Sequence, residues 1–229
     1  MATSIYDVDF AGLAFDAPRR EKSGQTVIPM NYSPGDSRVE TFYPVDRLCV
    51  QLGRNQTEMV TTPFGLGTPI DGSVDAPRRN VEILVSHELE NKLRELDTII
   101  TQKAIEMCQE WFGKATLTKE HQPIVRIKPN GSFYVRIKVD MRTTSVKVLT
   151  ARGAVASNVE AITPNSKLLM VVDTPGIWYS PTQFGLSFTA RGVLVTQPVS
   201  ARTGLDMFTL LPGIVDADPD ANDDDADTA

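Results

Sequence analysis

At 229 residues, 41% hydrophobic and 23% charged, the chain has the make-up of a folded protein, one large β-rich domain or two small ones, either able to bury a core. Its formal net charge of -6 conceals a division: the stretch from 216 onward, DADPDANDDDADTA, holds seven aspartates and no Lys or Arg, leaving 29 - 7 = 22 acidic against 23 basic residues elsewhere. With no run near the roughly 18 apolar residues of a membrane span and only two cysteines, Cys49 and Cys108, the composition excludes a helical membrane protein and a disulfide scaffold, and suits a reducing, intracellular compartment.

Residues 1–24 begin MATSIYDVDFAG, which lacks the basic and apolar segments of a secretory signal. They read as an extension ahead of a domain spanning 25–214. In that domain TVIPMNY (26–32), RLCVQL (47–52) and EMVTTPF (58–64) are β-prone, with SPGD, GRNQ and GTPIDGSVDAPRR as turn material between them. The pentapeptide DAPRR occurs at 16–20 and 75–79 with no similarity around it, so it marks two basic loops or a coincidence rather than a repeat. NVEILVS (80–86) is a further strand.

The period then changes. Leu89, Leu93, Leu96, Ile100, Met107 and Trp111 fall at helical spacing among Glu, Lys, Arg and Gln. Ser86 can cap such a helix, Glu88 and Glu90 suit its positive end, and Gly113 can stop it. One long helix is therefore expected over about 87–112.

Beyond it the period returns to two. In PIVRIKPNGSFYVRIKVDM the apolar set Val125, Ile127 alternates with Arg126, Lys128, and Phe133, Val135, Ile137, Val139 alternate with Tyr134, Arg136, Lys138. A hairpin with both apolar sets on one face pairs Ile127 with Phe133 and leaves Pro129-Asn130-Gly131 as its loop. The turn chemistry agrees independently, with Pro first, Asn next and Gly at the left-handed position. One face of the hairpin then belongs to a core. The other shows Arg126, Lys128, Tyr134, Arg136 and Lys138, in a segment where nine cations from Lys114 to Arg152 meet only Glu120 and Asp140. Exposed cations often do no more than meet water, but this excess points to an anionic ligand.

SVKVLTA (145–151) and KLLMVVD (167–173) are further strands, WYSPTQFGLSFTARGVLVTQ (178–197) reads as a turn and a long strand, and TGLDMFTLL (203–211) as a short helix. Strands, one helix, then more strands suit a mainly β, OB-like Greek-key barrel. In that arrangement the helix joins the third and fourth strands and Trp111 and Phe112 seal the barrel's end. The acidic stretch 215–229 has nothing large and apolar to bury and is expected to be disordered. It serves as a solubiliser or as a polyanion that occupies the basic face until a nucleic acid displaces it.

No phosphate loop, HExxH, paired CxxC or GxSxG element occurs, and the glycines of GLGTPIDG (65–72) have no dinucleotide spacing. His87 and His121 lack an evident partner. No enzyme, cofactor or metal site is therefore expected. Cations that track phosphates beside rings on which bases stack, at roughly 1–3 kcal/mol per base, are what single-stranded nucleic acid requires. Tyr134 is the first stacking candidate; Trp178 is the second, with a core anchor as its competing role.

The helix end EWFGK (110–114), the basic strand pair after it, TPFGL (62–66) and GIWYSPTQFGLSF (176–188) together resemble the phage-type single-stranded DNA-binding proteins of nucleocytoplasmic large DNA viruses. These are similar to the single-stranded DNA-binding protein of short-tailed phages, an OB fold with an acidic C-terminal tail, and the resemblance covers roughly residues 25–229. It implies a homodimer that coats single-stranded DNA in replication, recombination or repair at a viral replication site, and whose tail contacts replication enzymes. The related phage tails end in an aromatic residue, whereas this chain ends in Asp227-Thr228-Ala229, which bears on dimerisation and docking through the tail rather than on strand binding.

The reading is a sequence-independent single-stranded DNA-binding protein without catalysis or cofactor. Arg126, Lys128, Arg136 and Lys138 neutralise phosphates, Lys114 and Arg142 stand at the edges, and Tyr134 and Trp178 stack bases. A viral structural or interaction module, an RNA-binding OB protein and, more weakly, an enzyme with a concealed site are the alternatives.

Overall fold

The computed structural model describes residues 3–21, 24–32, 47–69 and 77–196. The β-prone runs form β1 (Thr26–Tyr32), β2 (Leu48–Leu52), β3 (Val60–Thr62) and β4 (Arg78–Leu84). Ser86 then turns the chain into helix α1 (His87–Glu106), its Oγ accepting from the Leu89 amide at 3.3 Å. The helical run breaks at Met107, resumes as α2 (Cys108–Phe112) and stops at Gly113 in the left-handed region. After the helices come β5 (Val125–Ile127), β6 (Phe133–Asp140), β7 (Ser145–Thr150), β8 (Gly153–Ser157), β9 (Ser166–Thr174), β10 (Gly176–Tyr179), β11 (Gln183–Leu186) and β12 (Phe188–Thr196). The expected helix at 203–211 and the acidic stretch 215–229 lie outside the described residues.

Five strands close into a barrel: β3 pairs with β4, β4 with β6, β6 with β12, β12 with β9, and β9 with β3. Only the β6–β12 pairing is parallel. This is an OB-like order in a mainly β protein. Its first strand is composite, since β2 and β3 lie in turn along β9, and a short strand at Leu66–Pro69 continues along β4.

The long helix lies between the second and third barrel strands, not between the third and fourth as expected. The physical reason is in the pairing. β1 has a strand's composition but joins a second sheet, antiparallel to β10, while β2 and β3 share one barrel position. Composition tells that a segment is extended, not which edge will receive it. The third and fourth barrel strands are joined through the β7–β8 hairpin instead.

Leu89, Leu93, Leu96 and Ile100 are fully buried in one core with Val81, Ile83, Val135, Ile137 and Val139. Each such side chain contributes about 1.5–3 kcal/mol when taken out of water. Ile5, Val8 and Phe10, ahead of β1, are buried in the same core. The second sheet runs β1–β10–β11, with Glu120–Gln122 parallel to β11. Trp111 and Phe112 finish the helix against this sheet. Trp111 is 3% exposed and packs 5.6 Å from the Phe15 ring, while Phe112 stands 5.2 Å from Tyr179 and 5.9 Å from Phe184, between ring centroids. Lys119, where the polar segment begins, lies 5.5 Å from the Phe112 ring and donates to the carbonyls of Ser180 and Pro181.

The β5–β6 hairpin has the expected register, Val125 with Val135, Arg126 with Tyr134 and Ile127 with Phe133. The Lys128 amide donates to Ser132 O, and the Gly131 amide donates to Lys128 O, around Pro129-Asn130-Gly131. One expectation fails. Ile127 is 62% exposed, because β5 ends where the hairpin runs past the barrel; Phe133 opposite it is half-buried, with the Arg94 guanidinium 5.5 Å from its ring centroid.

Candidate nucleic-acid interface

Alternation sends Val135, Ile137 and Val139 of β6 inward and leaves Tyr134, Arg136 and Lys138 on the outside. The β4 register sets Leu84 opposite Tyr134, Glu82 opposite Arg136 and Asn80 opposite Lys138. On the other side β5 sets Arg126 opposite Tyr134. The outer surface of β4, β6 and β5 is thus one continuous face.

Three of the expected cations and one aromatic converge there. Arg126, Arg136, Lys138 and Trp178 line a groove of about 230 Å³, with Asn80, Gln122 and Ser187 as further polar walls and no carboxylate lining it among the described residues. Trp178 reaches this place from β10, across from Gly185 on β11. A Cβ at Gly185 would come within 3.1 Å of the indole, so the ring occupies space that a side chain there would crowd. Trp178 is half-buried, walls the groove and is not part of the main core cluster, where the competing anchor role would have put it. Lys138 is also half-buried. Its Nζ donates to Ser187 Oγ at 3.2 Å, and burial first, then the Arg78 charge, lowers its pKa below the ordinary lysine value.

The face is less open than a cationic strand pair alone implies. Glu82 Oε2 accepts from Lys128 Nζ at 2.9 Å and Glu82 Oε1 accepts from Arg136 Nη2 at 2.9 Å. Burial works to raise this carboxyl's pKa, but the hydrogen bonds and charges of Arg136 and Lys128 outweigh it and hold the group below the usual carboxylate value. Four cations, Arg126, Lys128, Arg136 and Lys138, against one carboxylate leave a formal charge of +3 on the face. Lys128, expected to neutralise a phosphate, has only 17% of its side chain exposed. Its ammonium also lies 5.0 Å from the Tyr134 ring centroid, so Tyr134 sits beside the groove rather than in its wall.

Lys114 and Arg142 do not join this arrangement. Lys114 follows Gly113 at the exposed end of α2, and Arg142 occupies the exposed turn after β6, its amide donating to Asp140 Oδ1 at 2.9 Å. Neither lines the groove. A second cavity of about 400 Å³ adjoins the groove, with Lys138, Trp178 and Ser187 lining both. There the charges are matched internally. Asp173 holds Arg191 at 2.7 Å and Arg47 at 3.6 Å, and Asp140 faces Arg78 at 3.8 Å.

Glu82 and Asn80 escaped the sequence reading because they arrive from a strand distant in sequence; Ser187 lies between β11 and β12, and Gln122, four residues before Arg126, sits in the second sheet along β11. The alternation of β4 signals that Asn80 and Glu82 face away from the core, but not which strand they meet. His121 Nε2 lies 3.2 Å from Asp97 Oδ1, and that carboxylate also accepts the Ile124 amide, so the pair fastens helix to sheet. Among the described residues no three His, Cys, Asp or Glu side chains gather as metal ligands.

No family model matches the sequence, and no curated protein matches it. Among solved structures, the chain is similar to gp2.5, a single-stranded DNA-binding protein encoded by bacteriophage T7, with TM-score 0.46 and 11% identity over 69% of this chain and 96% of that one. It is also similar to the single-stranded DNA-binding protein of bacteriophage Enc34, with TM-score 0.38 and 9% identity over 86% and 98% of the two chains. For the same Enc34 protein in complex with single-stranded DNA the TM-score is 0.39, with 10% identity over 80% and 95%.

Proposed function

We propose that this chain binds single-stranded DNA without reading its sequence and without catalysing a reaction on it, along the outer face of β4, β6 and β5. The observation that carries the proposal is the meeting of Arg126, Arg136, Lys138 and Trp178 around one groove that, among the described residues, no carboxylate lines. Cations beside a flat ring suit a chain of phosphates and bases better than a small acid, because the two chemistries alternate along such a ligand. The phage proteins bind the same class of ligand, but their overlap with this chain is too loose to carry the proposal.

Several finer roles belong to the same proposal. The protein coats exposed strand during replication, recombination or repair of the phage or large-virus type, as a homodimer. The acidic stretch 215–229 competes with the strand for the cationic face and, once released, meets replication enzymes.

Fluorescence anisotropy of labelled oligo-dT over a range of salt tests the core of it. A face of formal charge +3 predicts a log-log salt slope of about -2, from about -0.7 per phosphate neutralised. Absence of salt-sensitive binding would leave an interaction module of the virion as the better reading. A clear preference for oligo-rU would move the ligand to RNA through its 2′-hydroxyl.

A further inference from the structure

Phe64 is 62% exposed, in the break between β3 and the Leu66–Pro69 strand. A ring of that size left in water forgoes about 1.5–3 kcal/mol of burial, and its turn does not let it fold inward. Gly65 stands at φ 67, and a Cβ on it would lie 2.6–2.7 Å from the backbone of Ile162, Thr163 and Pro164. The Gly65 amide donates to Thr62 Oγ1 at 3.1 Å and the Leu66 amide donates to Ile162 O at 2.9 Å. The ring is presented outward by a pinned backbone.

Lys128 Nζ stands 4.0 Å from the centroid of that ring and 5.0 Å from the centroid of Tyr134, while it donates to Glu82. Leu84, opposite Tyr134, is 36% exposed. The ammonium therefore has a carboxylate and two ring faces as partners already. A cation so placed fixes the rings relative to each other.

We propose that Phe64 and Tyr134, with Lys128 between them, form a stacking platform for an unpaired base, and that Lys128 positions the rings instead of neutralising a phosphate. The proposal rests on the single-strand reading above and gives it a direction. Outward residues two apart on a strand are separated by about 6.6–6.8 Å, so Lys138, Arg136 and Tyr134 mark a line from the groove to the platform. A strand whose phosphates meet Arg126, Arg136 and Lys138 continues onto Phe64 with a base in reach.

Stacking releases no counterions, which separates the platform from the phosphate contacts. Phe64→Ala is expected to weaken oligo-dT binding by about tenfold with an unchanged salt slope. Arg126→Ala, by contrast, is expected to flatten the slope by about 0.7. Lys128→Met combined with Glu82→Gln leaves the face at +3, from Arg126, Arg136 and Lys138, so this double variant should weaken binding and keep the slope. An abasic deoxyribose-phosphate oligomer should bind Phe64→Ala and the unaltered protein equally. Full affinity in Phe64→Ala, with Arg126→Ala weakened, would overturn the platform and leave the proposed function standing. A slope flattened in that double variant would overturn the positioning role. Failure of the unaltered protein to bind any oligomer would remove both readings.

Discussion

Glu82 is the residue on which the electrostatics of the face turn. It consumes one positive charge, yet it also fixes Lys128 and Arg136 at 2.9 Å each. Glu82→Gln raises the formal charge of the face to +4, and the salt slope for oligo-dT should steepen by about 0.7. Its effect on stability depends on pH in a definite direction. The folded carboxyl is held below its ordinary value, so its pairs stabilise the protein above the usual carboxylate range, and that contribution is lost as the pH falls through the lowered value. Thermal unfolding should show Glu82→Gln less stable than the unaltered protein at neutral pH and the two converging in strong acid. A constant gap across that range would mean that Glu82 supports the fold by shape alone. Nothing around Arg136 or Lys128 in the sequence announces this carboxylate, which lies 54 and 46 positions upstream of them.

Among the elements, the β5–β6 hairpin was legible because two independent constraints, face alternation and turn chemistry, select the same register. Helix α1 was legible for a similar reason, since the Ser86 cap and the leucine period agree. Gly131 tests the first case. It sits at φ 81 with open space where a Cβ would go, so Gly131→Ala meets only the backbone cost of the left-handed region, about 1 kcal/mol. Chemical denaturation should read that loss; a neutral result would mean that the loop relaxes to another turn. Sheet membership was not legible. β1 looks like a first barrel strand and is not, because its partner β10 begins at Gly176 and local composition carries no record of so distant a neighbour. Exposure at the hairpin's far end escaped too. Alternation gave Ile127 a face, but where the barrel stops is a matter of three dimensions.

At the scale of the whole molecule, the cations that read as one run of sequence are divided by the fold. Arg126, Arg136 and Lys138 share a groove, whereas Lys114 and Arg142 face solvent elsewhere. The remaining body is nearly neutral once the seven aspartates from 216 onward are set apart, so those aspartates dominate any long-range repulsion of a polyanion. Ending the chain after Ile214 should tighten oligo-dT binding at low salt and change little at high salt. Equal affinity at both would limit the acidic stretch to solubility. The ledge that carries Phe64 is, finally, anchored from afar. Asn165, at φ 63 the one left-handed non-glycine among the described residues, donates its amide to Thr62 O at 2.7 Å, beside the carbonyl of Ile162 that receives Leu66. Under the platform proposal, residues 162–165 therefore bear on strand binding without meeting the strand, and a β-branched replacement of Asn165 is expected to weaken oligo-dT binding before it unfolds the protein.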